Sequence, residues 1–169
     1  MISADISDAD GYEAKIGGTE YPTVADALSA VTDNQTIIIL KNIDLTDAGI
    51  IVPTSKMDVD FTIDFNNFEL KNSTTSLANT FNIGYVNDQG SAGTPYSGNF
   101  VLKNCKFTGT TGCGYNYLQI GVSGTVTIEG CIFEDYNGLN RAIRATGSGA
   151  NAELIINGCT FGNTMGSEK

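Results

Sequence analysis

Apolar and other residues alternate in short runs along this chain, and each run breaks step at an Asn or a Gly. The pattern is plainest in Phe100-Val101-Leu102-Lys103-Asn104-Cys105-Lys106-Phe107, which reads apolar, any, apolar, any, Asn or Gly, apolar, any, apolar. It recurs as Ile38-Ile39-Leu40-Lys41-Asn42-Ile43-Asp44-Leu45 and as Ile63-Asp64-Phe65-Asn66-Asn67-Phe68-Glu69-Leu70. Later copies are Val126-Thr127-Ile128-Glu129-Gly130-Cys131-Ile132-Phe133 and Leu154-Ile155-Ile156-Asn157-Gly158-Cys159-Thr160-Phe161. The sixth positions stand at residues 43, 68, 105, 131 and 159, so the periods are 25, 37, 26 and 28. Alternation sends every second side chain toward a core, which makes each run a strand. Asn42, Asn67, Asn104, Gly130 and Gly158 mark the breaks. Asn and Gly tolerate a left-handed backbone, so the chain turns a corner there and starts a second strand. Self-similarity at such a period is the mark of a solenoid. The pattern predicts an all-β fold: a single-stranded right-handed parallel β-helix of about five rungs, with like positions stacked about 4.8 Å apart.

Stacking in this register places Ile43, Phe68, Cys105, Cys131 and Cys159 in one interior column and Leu45, Leu70, Phe107, Phe133 and Phe161 in the next. Further strands match as well: Phe81-Asn82-Ile83-Gly84, Leu118-Gln119-Ile120-Gly121 and Ala142 to Ala145. The 37-residue period is an ordinary rung carrying a Gly/Ser-rich loop, Val86 to Asn99, on its side. Ahead of the rungs, residues 1–14 form a leader, flexible or ordered by a partner. Residues 15–36 form an N-terminal cap, with a short strand and turn at Lys15-Ile16-Gly17-Gly18-Thr19. A helix follows over Val24–Val31: Thr23 stands at its N-cap, Asp26 three residues on, and Val24, Ala27, Leu28 and Val31 share one face. This capping helix closes the open end of a coil that spans residues 37–162, leaving 163–169 as a tail.

Charged residues make up only 17% and glycines number 20, a turn-rich β composition rather than a helical or disordered one. The net charge of −10 is unevenly placed: residues 1–70 carry 13 acidic and 3 basic groups, residues 71–169 six of each. The seven Lys and two Arg form no basic patch, which argues against nucleic acid and an anionic membrane as partners. No apolar run reaches the length of a membrane span. Met1 to Asp10 lacks the basic start, apolar core and cleavage site of a signal peptide, so none is expected in this chain. Three of the four Cys occupy the same rung position, where they serve as small apolar fillers rather than as a disulfide framework; Cys113, between two glycines, is the exposed one.

The run from Lys15 to Leu70 resembles the N-terminal part of pectate-lyase-like right-handed β-helix proteins. It does so through KIGGTEYPTVADALSAV, IIILKNIDL and TIDFNNFEL, and the later rungs match through their Asn/Gly-Cys-any-Phe figures. The resemblance implies the fold over nearly the whole chain and an activity over almost none of it, because the fold hosts pectinolytic enzymes, bacterial surface proteins and phage tailspikes or virion fibres. Enzymes of this kind are implied to work with clustered carboxylates, lyases through calcium and a basic Arg or Lys, hydrolases through acid/base Asp pairs.

Against that background three sets of residues are candidates. Asp58, Asp60 and Asp64 alternate with apolar residues and so share one outward strand face. They would hold calcium, the one cofactor in view, only if a neighbouring rung added oxygens. The positions read as equivalent to Asp64, namely Val101, Thr127 and Ile155, add no carboxylate, so a solvated acidic edge is the simpler account. Glu134 and Asp135 face Arg141 and Arg144 across a turn, which reads as surface ion pairing rather than as a lyase site. Tyr96, Tyr115, Tyr117 and Tyr136, with Tyr85, lie in or beside loops after rungs two to four and would form one patch with Asn87, Asn116 and Asn137, suited to sugars or a protein partner. With no catalytic constellation, no His, and sparse Arg, the expectation is a non-catalytic structural or attachment module of a virion or of a bacterial surface; the alternative is a polysaccharide lyase or glycoside hydrolase. After Phe161 only GNTMGSEK remains to shield the last rung, so a partner is expected to cover it: another copy of the chain or an adjoining domain. Virion fibres of this fold are commonly trimeric, and the resemblance therefore implies a homotrimer.

Overall fold

The computed structural model describes residues 11–74, 79–84, 94–110, 116–134 and 141–162. The chain enters through a hairpin of β1 (Ala14–Ile16) and β2 (Thr19–Tyr21), which turns at Gly17 with φ +58°. The helix α1 (Val24–Ala30) follows, and its N-terminus is capped as the sequence implies: Thr23 Oγ1 accepts from the Asp26 N–H at 3.1 Å and donates to Asp26 Oδ2 at 2.7 Å. Glu13 accepts from the Val24 N–H at 3.0 Å, so a second free donor of the first turn finds a carboxylate. Val24, Ala27, Leu28 and Val31 are all buried, the stripe that closes the end of the core.

Four complete turns come next. The first is β3 (Gln35–Ile39), β4 (Ile43–Leu45) and β5 (Ile50–Ile51); the second is β6 (Phe61–Asp64), β7 (Glu69–Asn72) and β8 (Asn79–Ile83). The third is β9 (Asn99–Lys103), β10 (Lys106–Gly109) and β11 (Asn116–Val122); the fourth is β12 (Thr125–Glu129), β13 (Ile132–Phe133) and β14 (Arg141–Gly147). A fifth turn has its first two strands, β15 (Glu153–Asn157) and β16 (Thr160–Phe161). Each strand pairs in parallel with its counterpart one turn away, giving three sheets: β3-β6-β9-β12-β15, β4-β7-β10-β13-β16 and β5-β8-β11-β14. The hairpin extends the first sheet beyond β3, where β1 pairs antiparallel. The fold is therefore a parallel β-solenoid with a short N-terminal helix over one end.

The corners carry the backbone the sequence asked for. Asn67, Asn104, Gly130 and Gly158 have φ between +56° and +67°. Their amides run along the axis: the Asn67 N–H donates to Asn104 O, the Asn104 N–H to Glu129 O, and the Gly130 N–H to Asn157 O. Asn42 is not left-handed; its side-chain oxygen instead accepts from the Glu69 N–H at 2.9 Å.

Register in the first two turns departs from the sequence reading. Ile37 and Ile39 face the core, not Ile38 and Leu40, because a run of three Ile and a Leu leaves the parity undetermined by polarity alone. Ile37, Ile63, Leu102, Ile128 and Ile156 stack in register, so Ile63 lies over Leu102 rather than over Phe100. The second turn has a wider corner than the later ones: Phe65, fully buried, and Asn66, φ +50°, fit between the Ile63 and Asn67 positions. Ile43 consequently pairs with Leu70, not Phe68, and Leu45 with Asn72. The other columns stand. Phe68, Cys105, Cys131 and Cys159 align, with Phe68 half-buried, and Leu70, Phe107, Phe133 and Phe161 form a second column. In it the Phe107, Phe133 and Phe161 rings stack face to face at 4.9 and 5.1 Å.

The long period also has a sharper boundary than Val86 to Asn99. The Tyr96 N–H donates to Gly121 O and Tyr96 bridges Val122, while a Cβ on Gly84 would lie 2.1 Å from the same Gly121 oxygen. Gly84 and Tyr96 thus sit side by side in the rung, so the inserted length falls between them in sequence. Its part from 85 to 93 lies outside the described residues.

Candidate functional site

The acidic strand is built differently from its sequence reading. Asp58 and Asp60 precede β6 and only Asp64 belongs to it. Asp60 is held by the next turn: it accepts from Asn99 Nδ2 at 2.9 Å and from the Asn99 N–H at 2.7 Å. These bonds keep its carboxyl below the ordinary carboxylate range. Asp64 lies over Lys103, with Glu129 and Asn157 further along, not over Val101, Thr127 and Ile155. Partial burial pushes the Asp64 carboxyl up, but this is outweighed by bonds from Asn104 Nδ2 (2.9 Å) and the Asn66 N–H (2.8 Å) and by Lys103 Nζ at 3.4 Å, so it too sits low. Each of these two carboxylates is spent on tying one turn to the next. Around Asp60 lies an open groove of about 270 Å³, lined by Asn34, Gln35, Thr62, Asn99 and Val101. Among the described residues no three His, Cys, Asp or Glu side chains come close enough to share a metal ion.

Glu134 does not reach toward Arg141 or Arg144 for its ion pair. Its Oε1 lies 2.9 Å from Lys106 Nζ on the neighbouring turn, and this contact raises the lysine's affinity for its proton. Asp135 lies outside the described residues.

Three members of the expected aromatic patch, Tyr96, Tyr117 and Asn116, are core residues rather than surface ones. Tyr96 and Tyr117 are fully buried. The Tyr96 ring packs edge-on against Phe61 and Phe100, and its hydroxyl donates to Val59 O; burial raises its affinity for the proton, and Asp60, Asp33 and Asp58 add to that. Tyr117 lies against Phe107 and Phe133 and donates to Glu134 O at 2.6 Å. Tyr117 fills the corner between the second and third sheets and Tyr96 the corner between the third and the first, and the hydroxyl of each meets a backbone carbonyl. Asn116 is buried as well, its Nδ2 donating to Asn79 Oδ1 at 2.8 Å. Tyr115, Tyr136 and Asn137, with Tyr85 and Asn87, lie outside the described residues.

A feature the sequence reading missed is the concentration of buried polar side chains along β7, β8 and β11: Asn72, Asn79, Thr80, Asn82, Asn116 and Gln119. Asn82 and Gln119 stand in register on the outer face of the third sheet, yet are only 3% and 1% exposed, and among the described residues neither Asn82 Oδ1 nor Gln119 Oε1 has a hydrogen-bond partner. The signal was present in the matched second strands, which both place an amide after the first apolar residue. The cysteine column, by contrast, behaves as the filler it was read to be. Cys105, Cys131 and Cys159 are free thiols in register, and burial raises the first two, Cys131 to about 12.

At the far end of the coil β14, β15 and β16 are, among the described residues, the outermost strands of their sheets. Ile155, Ile156 and Phe161 are 39%, 46% and 41% exposed there, whereas their counterparts one turn earlier, Ile128 under Ile156 and Phe133 under Phe161, are fully buried. What these features define is a class, the parallel β-solenoid. No protein family, curated protein or solved structure matches the chain.

Proposed function

We propose that this chain is a non-catalytic structural or attachment module, of a phage virion (fibre, spike or decoration protein) or of a bacterial surface protein. The observation that carries this reading is the use of its carboxylates. Asp60 and Asp64, the side chains best placed for calcium or acid/base work, already accept bonds from Asn99, Asn104 and Asn66 and face Lys103. A carboxylate whose pKa is pulled down is a poor general acid, and one already held by Asn donors would have to give up bonds to the next turn to take a new ligand. Its bonds do mechanical work instead, joining turns that a fibre or surface protein must keep together. Glycans and proteins of the virion or cell surface are the partners this reading implies, and self-association, as a trimer or otherwise, fits the same role. The test is incubation with pectin-like and other acidic polysaccharides, with and without calcium, read by ultraviolet absorbance of unsaturated product and by reducing ends. No product is expected. Product that disappears in Arg141→Ala or Arg144→Ala would move the chain to the alternative, a polysaccharide lyase or glycoside hydrolase of this fold.

A further inference from the structure

The geometry points to a self-pairing surface: we propose that the β14-β15-β16 edge docks onto the same edge of a second copy, tail to tail across a twofold axis. The backbone of β15 carries the first part of the case. The Glu153 N–H donates to Gly124 O and Asn157 O accepts from the Gly130 N–H, so residues 153 and 157 spend their groups on the neighbouring turn. In a parallel ladder alternate residues point opposite ways, which leaves the N–H and C=O of Leu154 and Ile156 directed at the open edge. An antiparallel partner centred on Ile155 sets Leu154 opposite Ile156 of the other copy, and the pair exchanges both of its backbone bonds. In the same register the interior rows agree, because Leu154 and Ile156 are the two inward residues that stack on Val126 and Ile128. Glu153 then faces Asn157 of the second copy rather than its own like charge.

The shape of the end agrees as well. β14, β15 and β16 follow one another up the helical ramp, each about a third of a 4.8 Å rung above the last. A twofold axis that lays β15 on itself sets β16, the highest strand, against β14, the lowest, so two ramps close without a gap. Ile156 and Phe161, 46% and 41% exposed, are the side chains such a contact covers.

Alternative pairings of copies are disfavoured. At the other end the β1–β2 hairpin continues the first sheet past β3 and α1 lies across the core, which blocks stacking of a tail on a head. Head-to-head contact would bring together two halves that each carry the whole net charge, since residues 1–70 hold 13 acidic and 3 basic groups. Tail-to-tail contact joins the halves whose charges balance. This inference concerns assembly and stands apart from the catalytic question.

The test uses the chain as it is. Light scattering or sedimentation should give twice the mass of one 17.8 kDa chain. Ile155→Lys, at an exposed outward position on the axis, should return it to the mass of one chain. In the proposed register Ile155 meets its own copy as a non-hydrogen-bonded pair with Cα atoms about 4.5 Å apart, within reach of a disulfide. Ile155→Cys should therefore form a covalent dimer under mild oxidation, above the background of the unsubstituted chain, and Glu153→Cys should not. A single-chain mass at high concentration, a trimer, open-ended filaments, or equal cross-linking at 153 and 155 would each overturn the proposal.

Discussion

Replacing Phe133 by Ala isolates the contribution of stacked columns. The ring is fully buried, lies 4.9 Å from Phe107 at 5° and 5.1 Å from Phe161 at 7°, and has Tyr117 at 6.1 Å. Truncating a buried Phe costs about 3–5 kcal/mol when the cavity cannot collapse. Collapse is resisted here because the β13 backbone is fixed by ladders to β10 and β16 on both sides. Three aromatic pairs vanish with the ring, each worth roughly 0.5–1.5 kcal/mol and already part of that total. Phe161→Ala is the internal comparison: it loses one such pair, and its ring is 41% exposed, so about 1–2 kcal/mol is expected. The assay is urea unfolding followed by far-ultraviolet circular dichroism, with both variants fitted for midpoint and slope. A loss at Phe133 under about 1 kcal/mol, or equal losses at 133 and 161, would refute column packing as the main source of stability.

Two further substitutions probe the corners and the acidic edge. Asn104 holds φ +56° and donates to Asp64, so Asn104→Ala should cost about 1–2 kcal/mol from left-handed strain and a lost bond, while Asn104→Gly should be the milder change; thermal melts of both decide it, and an Ala variant as stable as Gly would count against the left-handed corner. Asp60 and Asp64 are both lowered from an ordinary 3.8, so the stability they supply is present above that value and is lost as pH falls through their folded pKa values. Melting temperature should accordingly drop below about pH 4, less steeply in Asp64→Asn, and an Asp64→Asn profile parallel to that of the unsubstituted chain would sink this assignment.

The solenoid was legible because corner residues announce themselves twice, by a parity slip and by residue type. Asn67, Asn104, Gly130 and Gly158 satisfied both conditions and are left-handed. Where a single cue failed the register went astray. Ile37 to Leu40 are all apolar, so nothing in polarity marks Ile37 and Ile39 as the inward pair, and Phe65 is a core residue housed in a corner, which made the second turn look two residues shorter than it is. The helix was read correctly because its start is a local chemical statement, a Thr cap and an Asp three residues on. The candidate sites fared differently. Tyr96 and Tyr117 were read by their neighbours in sequence, rich in Gly and Ser, whereas their burial is decided by rungs one turn away. Asp64 drew its meaning from Lys103 and Asn104 across the turn, and a two-residue error in register was enough to hide both. Side-chain roles in a coil depend on alignment between turns, which period alone does not supply.

The hairpin and helix that precede the first turn have a consequence for how the coil is made. Many of their contacts close within a short stretch: Ala14 with Tyr21, Glu13 with Val24, Ala27 with Val31. Such a unit can assemble as soon as it leaves the ribosome, and its free strand β1 then offers β3 a ready edge to add to. From β6 onward each strand finds its partner one turn back, as Phe100 finds Phe61 and Val126 finds Phe100, so growth proceeds in one direction with each turn serving as the mould for the next. Loss of structure should run the other way, fraying from β16 inward while the hairpin is the last to let go.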